Sequence, residues 1–108
     1  MRIRVIATML AVILTAKLGK VQFQGHTETY YNLNMNRVVS RTNNELGVQE
    51  SLYWEREDGC KMYGLWVIVA AHPSVARYSF VETSRGMGIV LDSHTTSDKN
   101  LYDIATTW

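Results

Sequence analysis

The chain is poor in the residues from which crosslinks, metal centres and linkers are built. It has one cysteine, Cys60, one proline, Pro73, and three histidines. A single cysteine excludes an internal disulfide and cannot complete a zinc set, and the histidines are scattered without ligand spacing. A length of 108 residues with no proline-rich linker fits one domain. We therefore expect a single domain with no structural metal and no cofactor.

An excess of charge of one sign is also missing. Eleven lysine and arginine residues balance ten acidic residues, the formal net charge is +1, and the basic residues form no cluster. Proteins that bind nucleic acid carry a basic surface that neutralises phosphates. The sequence therefore predicts no nucleic-acid partner. Its hydrophobic content of 46% and charged content of 19% are typical of a globular protein.

The longest apolar run lies at the N-terminus. Residues 1–16 have a basic tip with Arg2 and Arg4 and then about a dozen mainly apolar residues, which is the form of a secretory signal peptide. The run is too short to cross a bilayer, so we expect no stable membrane span. On this interpretation the mature domain is 17–108. The alternative is a buried first strand or helix, because Leu14 stands where the cleavage signature needs a small residue.

Short apolar or alternating segments separated by turn residues predict an all-β fold. The strand-like segments are 27–33, 65–71, 78–82, 87–91 and 101–105. Leu65–Ala71 is the most apolar of them and is ended by Pro73, so we expect it to be the central strand. Val21–Asn34 alternates, which predicts one or two strands with a bend at Gly25.

Two further segments are predicted to be a loop and a hairpin. Residues 34–51 are rich in asparagine and serine, which predicts a long surface loop with a short strand at Arg37–Ser40. Ordered loops of this length often carry a binding surface. Residues 52–62 contain Leu-Tyr-Trp and then Glu-Arg-Glu-Asp-Gly, which predicts a hairpin with its turn at the charged residues and the glycine.

The strongest functional indication is the stretch Gly86–Asp103. An apolar run, Ile-Val-Leu, ends on Asp92, and after a polar loop Asp103 lies between Tyr102 and Ile104. We expect the two carboxyl groups to converge from neighbouring strands. Burial and a second nearby carboxylate both raise the pKa of such a group, which produces a general acid near neutral pH. The residues alone favour structural roles, because aspartate is common at strand ends and in turns.

Three motifs resemble a known family. Gly-Met-Gly-Ile-Val-Leu-Asp at 86–92 is followed by a second Asp, then Ile, eleven positions after the first. This pattern resembles the core of the 3D domain, a family named for three aspartates and found in bacterial cell-wall lytic enzymes. Tyr-Gly-Leu-Trp-Val-Ile-Val-Ala-Ala-His-Pro-Ser-Val at 63–75 and Thr-Tyr-Tyr-Asn at 29–32 are similar to two further segments of that family. The resemblance covers residues 27–107.

The resemblance implies a small six-stranded double-psi β-barrel and a peptidoglycan lytic transglycosylase that forms a 1,6-anhydro product. Asp103 would be the catalytic acid and base, and Asp92 would orient the sugar or keep the proton on Asp103. His72 and Lys99 are weaker candidates for substrate contact, because neither stands on a matched family residue. The partner would be peptidoglycan glycan strands, and the protein would be secreted or cell-wall associated in a bacterium.

The chain also departs from the family pattern. His72 stands where the first of the three aspartates is expected, and Ser93-His94 replaces the glycines after the second. Five residues follow Asp103, too few for the family's last strand, so either the barrel lacks that strand or another segment fills its place. The departures favour an alternative function, a non-catalytic carbohydrate- or protein-binding module on the same barrel. A truncated, inactive relative is a further alternative.

Two other patterns, a calcium-binding loop and a Cys-His nucleophile pair, are weaker indications of function. The loop after Asp92 has the length of an EF-hand loop, but Ser97 stands where glycine is needed. Cys60 would form a Cys-His pair with His72 or His94, although its glycine and lysine neighbours favour a turn residue.

Aromatic residues are concentrated between positions 53 and 66. Those that would stack on sugar rings if exposed are Tyr53, Trp54, Tyr63 and Trp66. We expect instead that they fill a small core.

Overall fold

A computed structural model describes residues 19–108 of the chain, so the predicted signal peptide at 1–16 lies outside the described residues. This part consists of eight strands and a helix, α1, at Asn36–Leu46. The strands are β1 (Val21–Phe23), β2 (His26–Tyr31), β3 (Tyr53–Glu55), β4 (Lys61–Tyr63), β5 (Trp66–Ala71), β6 (Phe80–Thr83), β7 (Gly86–Ser93) and β8 (Leu101–Ala105). The prediction of an all-β fold is therefore confirmed.

Strand β5 is the centre of the sheet, as its sequence predicts. Its first half pairs with β4 and its second half with β8, both antiparallel, and β7 pairs with the other edge in parallel. From Val67 to Ala71 every side chain is buried. Burial on both faces explains why the strand is a continuous run of valine, isoleucine and alanine rather than an alternating sequence.

The eight strands form one open mixed sheet. The order is β1-β2-β8-β5-β4-β3, with β7 on β5 and β6 on β7. Two of the pairs are parallel, β2 with β8 and β5 with β7. The structure thus has eight strands in place of six, and closure into a double-psi barrel stays a prediction.

The prediction of a loop at 34–51 with a strand at Arg37–Ser40 was wrong, because α1 occupies Asn36–Leu46. The apolar and small side chains buried here recur at helical spacing: Met35, Val38, Val39 and Thr42. The helix ends at Gly47, whose φ of 68° lets its N–H bond the last carbonyls. Asparagine, serine and valine are weak helix formers, so the packing of these buried side chains against the sheet outweighs the local helix propensity.

The sheet buries side chains on both faces. On one face, here called the helix face, Ile68 and Leu91 pack with the valines of α1. On the opposite face, Val69 and Ile104 belong to a second core cluster. Because side chains alternate along a strand, Asp103 lies on the helix face while its neighbour Ile104 lies on the opposite face.

Both predicted turns are present. The hairpin predicted at 52–62 is confirmed, since β3 and β4 pair antiparallel with Tyr53 opposite Tyr63. Gly59, with a φ of 87°, ends its turn. Gly25, with a φ of 82°, lies in the turn that joins β1 to β2. Glycine adopts such angles without the steric cost that a side chain brings.

Gly88 of β7 packs so closely on β5 that a larger residue does not fit. A Cβ atom there would lie 2.7 Å from Cγ2 of Val69 and 3.3 Å from the carbonyl oxygen of Val67. We predict that Gly88→Ala lowers the free energy of unfolding by about 1–3 kcal/mol, measured by urea denaturation, because overpacking separates the two strands. Adding Val69→Ala removes the shortest of these contacts, so Gly88→Ala should cost less stability in a Val69→Ala background than in the parent. A Gly88→Ala protein as stable as the parent would contradict this packing.

Candidate functional site

The register around Ala70 brings the two predicted aspartates together. Ala70 of β5 lies opposite Asp92 of β7 on one edge and opposite Asp103 of β8 on the other. Paired residues of adjacent strands direct their side chains to the same face of a sheet, and strands lie about 4.8 Å apart. The Cα atoms of the two aspartates are therefore about 10 Å apart, on the helix face.

A bulge between β5 and β7 determines the position of Asp92. Val69 lies opposite Val90, but the register then shifts, so that Ala70 lies opposite Asp92 rather than Leu91. Without the shift, Asp92 would follow the alternation of β7 to the opposite face. Bulges often redirect a side chain in this way beside functional sites. Leu91 remains in the core on the helix face.

Asp103 is half-buried and is oriented by a hydroxyl group. Thr29 lies directly opposite it in β2, and its Oγ1 donates a hydrogen bond of 2.9 Å to Oδ1 of Asp103. Burial raises the pKa of Asp103, while the bond from Thr29 and nearby His94 lower the pKa in part. Burial is the cause that raises the pKa, and Asp92 does not contribute, so the prediction that a second carboxylate raises it was wrong. The direction of the shift is the one that a general acid requires.

Asp92 lies on the wall of a cleft beside β7. The cleft has a volume of about 270 Å³, which corresponds to about nine water molecules at roughly 30 Å³ each. Six residues line it: Pro73, Val75, Arg77, Val90, Asp92 and Ser93. Oδ1 of Asp92 accepts a 2.9 Å hydrogen bond from the N–H of Ser93. The two aspartates thus have separate partners and different surroundings.

Two histidines follow the ends of β5 and β7. The ring centres of His72 and His94 are 6.1 Å apart. Nε2 of His94 lies 2.8 Å from the carbonyl oxygen of Leu101 and must donate to it, because a carbonyl only accepts. Nδ1 of His72 accepts a 3.0 Å bond from the N–H of Ser74. In each neutral ring, therefore, the proton is on Nε2.

The structure brings only one of the two predicted substrate contacts to this group. His72 lies beside His94, which in turn is close enough to Asp103 to lower its pKa. Lys99 is exposed in the loop between β7 and β8, and it forms no hydrogen bond or ion pair with the residues that the structure describes.

Tyr31 and His94 belong to the site, although the sequence predicted neither of them beside the aspartates. The hydroxyl of Tyr31 is buried and has no hydrogen-bond partner within residues 19–108. Burial raises the pKa of Tyr31, and the carboxyl groups of Asp103 and Asp92 raise it further, so the phenol lies near both. The available signals were slight: Tyr31 stands two positions after Thr29, and His94 two positions after Asp92.

Cys60 is not part of this group. It is buried among the residues of the opposite face, and its thiol donates a 3.5 Å hydrogen bond to Oδ2 of Asp58. Burial, followed by the charge of Asp58, raises the pKa of Cys60 to about 11, which disfavours the nucleophilic thiolate. Within residues 19–108, no three His, Cys, Asp or Glu side chains are grouped as ligands for a metal ion.

The aromatic residues divide between core and surface. Tyr63 is 1% exposed, and Tyr53 and Trp66 pack against the core of the helix face, as predicted. The prediction was wrong for Trp54, which is 45% exposed on the edge strand β3. Phe80 is 53% exposed, with its ring centre 4.9 Å from that of Trp66.

A second polar cluster, which the sequence did not reveal, has paired charges. Glu28 is fully buried and accepts hydrogen bonds from the hydroxyl of Tyr30 and the N–H of Ser84. Asp58 forms a 2.7 Å ion pair with buried Arg85. Burial would raise the pKa of Asp58, but its hydrogen bonds and the arginine charges lower it to about 2. A carboxyl group with so low a pKa does not donate a proton near neutral pH, so this cluster is not the candidate site.

Comparison with protein-family models, with curated proteins and with solved structures found no match. The resemblance to the 3D domain therefore rests on the motifs of the chain itself. In the part of the chain from 19 to 108, no helix has the length and apolar character needed to cross a membrane.

We predict that Asp103→Asn raises the melting temperature at pH 7. Because the folded-state pKa of Asp103 is above its ordinary value, the carboxyl group contributes stability that is fully present below the unfolded pKa and is lost as the pH rises through the folded pKa. Asparagine retains an acceptor for Thr29 and does not titrate. In thermal melts, the melting temperature of the variant should therefore exceed that of the parent by more at pH 7 than at pH 3. An equal difference in melting temperature at both pH values would show that burial of the charged carboxyl group costs no stability.

Proposed function

We propose that the protein is a peptidoglycan lytic transglycosylase that cleaves the glycan strand and forms a 1,6-anhydro product. The observation that carries the proposal is the pair of aspartates beside Ala70, one half-buried with a raised pKa and one on the wall of a cleft. Two acids with different surroundings are typical of sites that cleave glycosidic bonds. The motif resemblance to the 3D domain, including its double-psi barrel, supports the same activity.

Asp103 serves as acid and then as base in this mechanism. Its proton passes to the bridging oxygen as the bond to the anomeric carbon breaks, and the leaving sugar keeps the electron pair as a hydroxyl group. The carboxylate then takes the proton of the C6 hydroxyl of the sugar unit that carries the anomeric carbon, and the C6 oxygen bonds that carbon to close the 1,6-anhydro ring. Because the attacking hydroxyl belongs to the substrate, one carboxyl group serves both steps and no activated water is required.

The neighbours of Asp103 have separate roles. Thr29 bonds Oδ1, which leaves Oδ2 for the substrate. His94 is a positioning residue that moderates the pKa of Asp103. Asp92 binds sugar hydroxyl groups from the cleft. Tyr31 is a positioning residue, because its buried hydroxyl lies near both acids and has no hydrogen-bond partner among residues 19–108.

The substrate also determines where the protein acts. Peptidoglycan lies outside the cytoplasmic membrane, which agrees with the secretory form of residues 1–16. We therefore propose an extracytoplasmic, secreted or cell-wall-associated protein of a bacterium whose partner is the glycan strand.

We predict that Asp103→Asn lowers the release of anhydro-muropeptides from purified peptidoglycan by about two to four orders of magnitude, because asparagine neither donates nor takes the proton. Asp92→Asn should lower this release by a smaller factor, since Asp92 only orients the sugar. Mass analysis of the released fragments measures both, with thermal melts of each protein alongside. The matched control is Asp98→Asn, in the exposed loop before β8, which should retain parental activity. Undiminished activity in a folded Asp103→Asn protein would rule out the mechanism.

A second substitution tests the positioning role of Tyr31. Tyr31→Phe should raise the melting temperature, because it removes a buried hydroxyl without a partner within residues 19–108. It should lower the rate about tenfold, because the polar group beside Asp103 and Asp92 is lost. Tyr30→Phe is the control on the opposite face, where the hydroxyl bonds Glu28 at 3.3 Å. It should lower stability by about 1 kcal/mol and leave the rate unchanged. Equal rates for Tyr31→Phe and the parent would exclude the positioning role of Tyr31.

The exposed rings of Trp54 and Phe80 favour a second candidate function, a non-catalytic carbohydrate-binding module. Aromatic faces bind sugar rings without any acid. Such a module would bind glycan strands and release no anhydro product, either before or after a change at Asp103. The fragment analysis above therefore separates the two functions.

A further inference from the structure

The cleft at Asp92 contains a cation as well as an acid. Three of the six lining residues are apolar, and the polar ones are Arg77, Asp92 and Ser93. A small cleft with an apolar wall and a few polar groups of opposite charge fits a ligand with an apolar body and two different polar ends. The mechanism proposed above uses Asp92 and leaves Arg77 without a role.

Arg77 extends from a well-defined point of the backbone. The next residue, Tyr78, has a φ of 72°, which residues other than glycine rarely adopt. Two backbone hydrogen bonds to β7 stabilise it, from Tyr78 N–H to the carbonyl of Val90 at 2.7 Å and from Val90 N–H to the carbonyl of Ser79 at 2.9 Å. Backbone strain of this kind persists only where the surrounding structure determines it.

Most of the hydrogen-bonding capacity of Arg77 is unused among the described residues. A guanidinium group has five N–H donors, and within residues 19–108 one of them is engaged, by Nη1 in a 3.0 Å bond to Oε1 of Glu45. Oε1 of Glu45 also lies 3.8 Å from Nε of Arg41. Arg41 and Arg77 thus share the carboxylate of Glu45, whose single negative charge balances only one of the two positive charges.

We infer that the cleft binds a ligand carboxylate on Arg77, so that the protein selects glycan strands whose peptide stems carry free carboxylates over bare glycan. The inference rests on the proposed function and names the part of the substrate that the cleft recognises. A guanidinium group receives a carboxylate through two parallel hydrogen bonds. The carboxyl group of Asp92 directs the ligand carboxylate toward Arg77 and is left to bind sugar hydroxyl groups.

Binding to two matched probes tests the inference. The probes are a disaccharide-peptide prepared from peptidoglycan and the same compound with its carboxylates amidated, titrated by calorimetry into the full chain carrying Asp103→Asn, so that neither probe is cleaved. The free carboxylate form should bind about 10- to 100-fold more tightly than the amidated form, as expected for a charge-assisted pair. Adding Arg77→Gln should abolish this difference.

Two control variants separate recognition from folding. Glu45→Gln breaks the same Arg77–Glu45 ion pair but leaves the guanidinium group, so the preference for the free carboxylate should remain. Arg37→Gln removes an exposed charge from α1 and should change the affinity for neither the free nor the amidated probe. If Arg77→Gln retains the preference, or if Glu45→Gln loses as much of it as Arg77→Gln, the inference is overturned. The same holds if the two probes bind equally well, or not at all, to the protein with Arg77 intact.

The inference and the proposed function fail in different ways. If the parent releases anhydro products but shows no preference between the probes, the role of Arg77 is ruled out and the proposed transglycosylase activity stands. A parent that prefers the free carboxylate through Arg77 but releases no anhydro product would remove the transglycosylase and leave a peptide-recognising cleft.

Discussion

The candidate site depends on the fact that β5 is paired along both edges at Ala70. A strand bonded on both sides and buried on both faces cannot slip without breaking two ladders and exposing its apolar side chains. A slip of β8 by one residue would bring Tyr102 to the helix face and turn Asp103 away from it. The bulge after Val69 provides the matching adjustment for Asp92. The positions of both acids are therefore consequences of strand pairing and not of local sequence.

The buried acids on the two faces of the sheet have different surroundings. On the opposite face, Glu28 and Asp58 are bonded by several donors, so the burial of these acids is compensated, although Nε and Nη2 of Arg85 have no hydrogen-bond partner within residues 19–108. On the helix face, Asp103 has one hydroxyl partner within residues 19–108, and the hydroxyl of Tyr31 has none there. Buried polar groups without partners cost stability, and folds retain them mainly where function requires it. This contrast is the physical reason for assigning chemistry to the helix face.

Helix α1 contacts both β7 and the loop that carries Arg77. Its Arg41 bonds the carbonyl of Leu91, next to Asp92, and its Glu45 bonds Arg77 on the far side of the cleft. One short helix thus contacts both the strand that carries an acid and the loop that carries a cation. The recognition proposed at Arg77 and the proton transfer proposed at Asp103 would then share one rigid support, which is what precise positioning of a substrate requires.

The sequence by itself determined strands β5, β7 and β8 and identified the two acids that β7 and β8 carry. Continuous or alternating apolar runs specify β5, β7 and β8 because a half-buried or fully buried strand admits few other patterns, and Asp103 stands out because it interrupts one of them. Tertiary structure decided the rest. Packing against the sheet made a helix of Asn36–Leu46 within the asparagine-rich stretch 34–51, many of whose residues are weak helix formers. Long-range pairing brought Tyr31 beside Asp103, because residues more than 60 positions apart meet only through strand register, which no local pattern encodes. The path of the loop between β7 and β8 brought His94 there, through its bond to Leu101.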